Sequence, residues 1–211
     1  MRSTIKLITA GVTLFVLALG IWPAAAGYPD RPVKIVVPFA PAGPTHVMAR
    51  LIAQKLSDSL KQQFYIENHP GAGGNIGMTQ VAKSPPDGYT ILVASSSFVV
   101  NPSLYAKNPY DPFKDFAPVT LAAASPNILV VHADFPAKSV KELVDLIKKE
   151  PGKYNYAMPG TGTTPHLAGE LFKLTFKLDL TTVPFNGAGP AIQSAVAGHT
   201  PIAFTALPPT A

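Results

Sequence analysis

Three proline- and glycine-rich stretches, residues 38–45, 70–77 and 159–166, hold the residue types best suited to chemistry in this 211-residue chain. Each follows a strand-like apolar run and precedes residues with helical periodicity, so each opens a helix. A helix start carries unpaired N–H groups and a partial positive charge, which stabilise a carboxylate or phosphate by about 0.3–1 kcal/mol. Glycine lets such a ligand approach the backbone, and Thr163 or Thr164 would add hydroxyl donors. One such loop alone is an ordinary turn. Three in one chain point to an anion site if they converge in space.

Catalytic patterns are missing. The histidines are His46, His69, His132, His166 and His199; none forms H-E-x-x-H, and no G-x-S-x-G elbow occurs. The chain has no cysteine, which excludes thiolate nucleophiles, thiolate metal sites and disulfides. His166 and Glu170 stand four apart on an expected helix, but no third metal ligand accompanies them; His166 is expected to hydrogen-bond near the helix start and Glu170 to be solvated. Ser95, Ser96 and Ser97 close a strand with no evident base, an arrangement better suited to binding a ligand than to attacking one. A dinucleotide fingerprint from Gly71 would need glycine at position 76, which is Ile76, and no phosphate-binding loop motif occurs. The expectation is a binding protein with no enzyme activity, cofactor or metal.

Composition agrees. Charged residues make up 14% and hydrophobic ones 47%, which excludes a charge-driven disordered chain. Lysines and arginines are dispersed rather than clustered with aromatics, which argues against nucleic acid. Residues 1–26 read as an export signal: Arg2 and Lys6, an uncharged run from Leu7 to Trp22, then Ala24-Ala25-Ala26. Cleavage before Gly27 would leave 185 residues with a formal charge of +3. The expected location is the periplasm.

Several elements must position the loops. Val33–Val37, Phe64–Ile66 and Tyr89–Ala94 read as strands, separated by a helix that Thr45 caps and by another at Asn75–Lys83. This alternation with short links predicts a parallel sheet. Residues 116–131 read as one or two strands crossing between lobes. Ser139 to Glu142 forms a capping box opening a helix. Strands at Tyr154–Ala157, Leu180–Val183 and Pro201–Phe204 then alternate with helices at Leu167–Phe176 and Ala191–Val196. The domains expected are the signal peptide at 1–26, a first lobe at 27–124 and a second at 125–211.

A series of motifs in fixed order carries a resemblance. It comprises Tyr28-Pro29-Asp30-Arg31-Pro32, Val36-Val37-Pro38-Phe39-Ala40-Pro41, the run from Glu67 to Gly77, Pro86-Asp87-Gly88-Tyr89-Thr90, Asn101-Pro102-Ser103-Leu104-Tyr105, Asp115 to Val119, Lys138 to Leu143 and His166 to Leu171. The chain resembles the Bug family, periplasmic solute-binding proteins of tripartite tricarboxylate transporters, over essentially all of its length after residue 26. The resemblance implies an α/β, two-lobed periplasmic-binding (type II) fold with mixed and parallel sheets flanked by helices. It also implies capture of a small carboxylate between the lobes and delivery to a membrane permease, by a monomer. Carried over by position, first-lobe contacts fall on Ala42, Gly43, Thr45 and His46, on Gly73, Gly74 and Asn75, and on Ser95, Ser96 and Ser97. Second-lobe contacts fall on Thr161, Gly162, Thr163 and Thr164, and on Asn186 and Gly187.

The chain departs from the family pattern in three places. His46 stands where an acidic residue is usual, which makes an amino-acid ligand less expected than a simple carboxylate. Asn186 stands where a lysine is usual. The sequence also stops at Ala211, before the segment that in the family returns to complete the first lobe. About 400 Å² of apolar surface left bare at about 25 cal/mol per Å² would forfeit about 10 kcal/mol, so marginal stability is expected. The alternatives are a ligand sensor docking on a receptor kinase, a non-binding fragment, and an exported hydrolase using one of the three serines.

Overall fold

The computed structural model describes residues 27–207; the expected leader, residues 1–26, lies outside them. The chain divides into two compact units, Met1–Asp30 and Arg31–Ala211. Of the first only Gly27–Asp30 is described, and it contains no helix or strand. The second holds every element below.

Its first sheet has three parallel strands in the order β2-β1-β3: β1 Val33–Val37, β2 Phe64–Asn68 and β3 Thr90–Leu92. The β1 run Val-Lys-Ile-Val-Val is almost wholly buried because it is the central strand, covered on both faces. Val33, Ile35 and Val37 pack with Phe64 and with Ala49 and Ala53 of helix α1, Pro44–Leu60. Helix α2, Asn75–Ala82, follows a single 3-10 turn at Ala72–Gly74.

The second sheet runs β4-β7-β5-β6: β4 Asn127–Val131, β5 Asn155–Met158, β6 Thr181–Pro184 and β7 Ile202–Ala206. Only β4 is antiparallel to its neighbour, β7. Side chains alternate across the pleat. Tyr156 and Met158 face a core with Ile202, Phe204 and the Leu143, Val144 and Ile147 stripe of α4, Val140–Lys149. On the opposite face Ala157 and Ala203 meet Ala191 and Ala195 of α6, Ala188–Val196, small residues that let the helix lie close. Helix α5, Thr164–Phe176, joins the first of these faces through Ala168, Phe172 and Phe176.

Several expectations are corrected. Helix α3, Ser97–Leu104, has no counterpart among the expected elements; at its internal Pro102, which has no N–H, the Phe98 carbonyl accepts instead from Tyr110 Oη (3.0 Å). Thr45 does not cap α1: the cap position is Gly43, with no side-chain bond, and Pro44 takes the first helical position. Residues 117–126 form no strand; they run exposed, and regular pairing begins only at Asn127. At α4, Ser139 Oγ accepts from the Glu142 N–H (3.2 Å) as a capping box requires, but the Glu142 carboxylate accepts from the Lys138 N–H (2.7 Å) instead of the cap residue's own.

Candidate functional site

The turn after β1 brings Phe39 and the start of α1 toward the second sheet. Its bend uses Ala42 in the left-handed region (φ 66°), a conformation costly for a residue with a Cβ. Gly43 then leads extended into the helix (φ −86°, ψ 167°). From the other side come the starts of α5 and α6. Together they line a half-open cavity of about 60 Å³. Gly43, Pro44, Thr45 and His46 line it from α1, and Thr163, Thr164 and Pro165 from α5. Ala188, the first residue of α6, contributes from a third helix. Phe39, Ser95, Pro159 and Ala206 complete the wall.

Three helix starts therefore share one hollow. Within each helix the first-turn N–H groups have no i−4 carbonyl. Those on offer belong to Thr45 and His46, Thr164 and His166, and Ala188 and Gly189, because Pro44, Pro165 and Pro190 carry none.

His46 lies between this cavity and a larger open groove of about 740 Å³ along the outer flank of α1 and β2, which Arg50, Gln54 and Ile66 also line. That groove collects one helix flank and only one expected binding residue, so the smaller cavity is the candidate. The His46 Nδ1 atom is buried without a partner. Burial, followed by the Arg50 charge, holds the His46 ring below its usual pKa, against a smaller opposing contact with Asn68, so the ring is neutral at pH 7.

Ten of the sequence-derived residues do not line the cavity. Gly73 lies instead against the third loop: a Cβ on it would come within 2.5 Å of the Thr161 carbonyl oxygen, and one on Gly160 would be 3.6 Å from the Gly73 Cα. Gly162 (φ 82°) is packed so closely that a Cβ there would collide with Asn101 Oδ1. Asn101, fully buried in α3, donates to the Gly73 carbonyl (3.1 Å) and to Asn75 Oδ1 (2.7 Å), while its own Oδ1 has no partner. Ser96 Oγ donates to the Gly162 carbonyl at 3.4 Å, and Ser97 faces Ser95 at 3.2 Å. Gly74, Asn75 and Ser97 are buried, and Ala42 is exposed on the turn. Asn186 and Gly187 pair with the first loop: the Ala40 N–H donates to the Asn186 carbonyl (2.8 Å), and a Cβ on Gly187 would come within 2.9 Å of that nitrogen. Gly73, Ser96, Thr161, Gly162, Asn186 and Gly187 thus sit at contacts between the loops of the two sheets beside the cavity.

His166 takes a local bond as expected, its Nδ1 accepting from the Gly162 N–H at 3.2 Å. Glu170 is partly solvated, as expected, but it is also tied by hydrogen bonds. Its Oε1 accepts from Thr182 Oγ1 (2.7 Å), Tyr156 Oη (2.8 Å) and Lys173 Nζ (3.1 Å). Burial disfavours its charge, but these donors outweigh it and hold the carboxyl below its ordinary value.

The residues missed from sequence are Phe39, Pro44, Pro159, Pro165, Ala188 and Ala206. Phe39, Pro44, Pro159 and Pro165 lie in the loops singled out above but were not named as contacts, because their side chains carry no donor or charge. Ala188 had one signal available, its place directly after Gly187, whose positive φ (155°) leads into α6.

Two sheets, each fed by strand–helix units, with helix starts meeting in a cleft between them, define a two-lobed periplasmic-binding fold. An ancestral amino-acid-binding protein shares it at 13% identity with a TM-score of 0.51. The chain belongs to the tripartite tricarboxylate transporter family of receptors, whose family model matches residues 48–211. It is 42% identical over 172 residues to a protein from the tcbD-tcbE intergenic region of Pseudomonas sp. strain P51, covering 82% of this chain and 51% of that one. With protein BugT of Bordetella pertussis it shares 37% over 198 residues, covering 89% and 61%. Among solved structures, a periplasmic transporter superposes with a TM-score of 0.82 at 44% identity, covering 85% of this chain and 61% of that one. Rpa4515 of R. palustris, solved with adipate, gives 0.83 at 37% (85% and 60%), and MatC of Rhodopseudomonas palustris, with bound malate, gives 0.76 at 35% (85% and 61%). The chain thus spans about half to three-fifths of the length of the relatives it matches.

Proposed function

We propose that this chain is a periplasmic receptor component that captures a small carboxylate between its lobes for delivery to a membrane permease. The observation that carries the reading is the meeting of the α1, α5 and α6 starts on one cavity; the Thr163 and Thr164 hydroxyls there donate to the Gly160 carbonyl (2.7 Å) and to Asn127 Oδ1 (3.1 Å), which leaves the ligand to the backbone N–H groups. Free N–H groups and aligned dipoles stabilise an anion without a charged side chain. The family assignment and the carboxylates named for two structural relatives support the same ligand class. Export by residues 1–26 and the lobes at 27–124 and 125–211 belong to this proposal. The binding residues proposed are the six expected ones on the cavity, Gly43, Thr45, His46, Ser95, Thr163 and Thr164. Of the other ten, Gly73, Ser96, Thr161, Gly162, Asn186 and Gly187 act at the contacts between the loops of the two sheets.

Titration calorimetry of the chain with mono-, di- and tricarboxylates tests the reading. Saturable heat with at least one acid, lost when its carboxylate is replaced by the amide, is expected. Absence of heat with every acid overturns it.

A further inference from the structure

Only one of the side chains lining the cavity gains or loses a proton near neutral pH, and it is His46. The others belong to glycine, alanine, proline, phenylalanine, serine and threonine. Resting on the receptor reading above, we propose that His46 makes ligand capture proton-linked: the bound carboxylate draws a proton onto the ring, and the chain holds its ligand more tightly as the pH falls from 8 toward 6.

Before a ligand binds, the surroundings on α1 favour the neutral ring. His46 is the third residue of that helix, half-buried between the cavity and the outer groove, at the end where the dipole disfavours a cation. Its Nδ1 is buried and has no hydrogen-bond partner, so a proton there is a buried donor with no acceptor. Arg50, one turn further along, adds the repulsion of a like charge. The other elements do not reverse this. On β2, Asn68 commits its amide nitrogen to the Phe39 carbonyl (2.8 Å), and its contact with the ring favours the charged form by less than burial and Arg50 oppose it. Glu67 and His69, on either side of Asn68, pair with each other at 3.1 Å, and Lys34 of β1 lies 3.6 Å from the same carboxylate oxygen. On α5, His166 Nδ1 accepts from the Gly162 N–H, and Glu170 accepts from Thr182 and Tyr156. Helix α6 carries no charge.

A bound anion shifts the balance. A hollow of about 60 Å³ keeps a carboxylate close to every group that lines it, and an opposite charge at such range favours the charged ring. The coupling is reciprocal: an anion that raises the proton affinity of the ring about tenfold is itself bound about tenfold more tightly by the protonated ring. At pH 8 the ring is neutral with or without ligand, and the first-turn N–H groups hold the carboxylate alone. At pH 6 the ring is partly protonated, and about two- to fivefold of the gain is realised. Binding there takes up part of a proton from solution.

The test is calorimetric titration of the chain with lactate, malate, tartrate, adipate and benzoate at pH 8.0 and 6.0. The runs at pH 6.0 are made in MES and in bis-tris, whose ionisation enthalpies differ, so that protons exchanged on binding are counted. For each acid that binds, affinity is expected to be about two- to fivefold higher at pH 6.0, with net proton uptake. His46→Gln keeps a polar side chain and removes the titrating group; it is expected to show no pH dependence and no uptake beyond that of the acid itself. Equal affinity at the two pH values, or uptake undiminished in the variant, overturns the role of His46 and leaves the receptor reading intact. NMR titration of the His46 ring in the wild-type chain needs no variant: its midpoint is expected to rise on saturation with the acid, and an unchanged midpoint overturns the inference. Should none of the acids bind at either pH, the receptor reading fails and the inference fails with it.

Discussion

The junction between the two lobes has a hollow side and a tight side, and residue bulk accounts for the difference. On the hollow side Pro44, Thr45, Pro165 and Thr163 hold the helix starts apart. On the tight side Gly73, Gly160 and Gly162 bring backbone against backbone, where any Cβ on Gly73 or Gly162 would clash. Both sides are built from loops with the same Pro/Gly signature. The lesson is that glycine-rich loops beside a ligand cleft can serve to close the frame instead of touching the ligand.

The largest expected effect comes from filling the tight side. Gly162→Ala puts a Cβ at φ 82°, costing about 1–2 kcal/mol of left-handed strain, and drives it into Asn101 Oδ1, adding about 1–3 kcal/mol of overpacking. A loss of about 2–5 kcal/mol in unfolding free energy is expected, together with a larger radius of gyration in solution scattering as the lobes are propped apart. Gly169→Ala is the matched control: its Cβ would come within 2.6 Å of the Tyr156 ring, inside the second lobe and away from the junction. It should lower stability by about 1–3 kcal/mol with no change in dimensions. Equal scattering profiles for the two variants would show that the glycines do not set the separation.

A smaller effect is expected at the buried amide that braces this contact. Asn101→Ala strips donors from the Gly73 carbonyl and Asn75 Oδ1, but it also removes an amide oxygen that had no partner. Each acceptor left bare costs about 1–3 kcal/mol, and relief at Oδ1 places the sum of the two toward its lower end, about 2 kcal/mol. Because the truncation also clears the space that a Cβ at 162 would occupy, the double variant should be less destabilised than the sum of the singles by about 0.5 kcal/mol or more. Strict additivity in urea denaturation would mean that Gly162 and Asn101 do not press on each other.

The same contrast explains what could be read before the structure. The β-branched run of β1 announced its strand, since a parallel strand covered on both faces reads as a near-continuous apolar stretch. Helix α3 was not among the expected elements: it holds Pro102, which removes a helical N–H, and its polar Asn101 is fully buried. Residues 117–126 have the apolar, uncharged character of a strand, yet Val119 and Leu121 are 89% and 85% exposed and pair with nothing regular. For the cavity, loops 38–45 and 159–166 were legible because helix starts advertise themselves through proline and threonine. The third helix on it was not, because Ala188 looks like any alanine; only a fold brings residues 45, 164 and 188 together. Loop 70–77 carried the strongest glycine signal and lies on the tight side.

The smallest effect tests whether the floor beneath the hollow side is also built by specific bonding. Glu170, one turn beyond His166 on α5, ties that helix to β5 and β6 through Tyr156 and Thr182, with Lys173 alongside. Burial works against its charge, but the three donors hold its carboxyl below the ordinary value of 4.5. A carboxyl depressed on folding contributes stability that is complete above its unfolded value and is lost as pH falls through the folded one. Glu170→Gln keeps the shape and removes the titration. The wild-type chain should therefore exceed the variant in urea midpoint at neutral pH, with the gap narrowing as pH falls below about 4.5. A gap that stays constant down to about pH 3 would mean that the three hydrogen bonds favour the protonated and ionised carboxyl alike, and that α5 is placed by its apolar face alone.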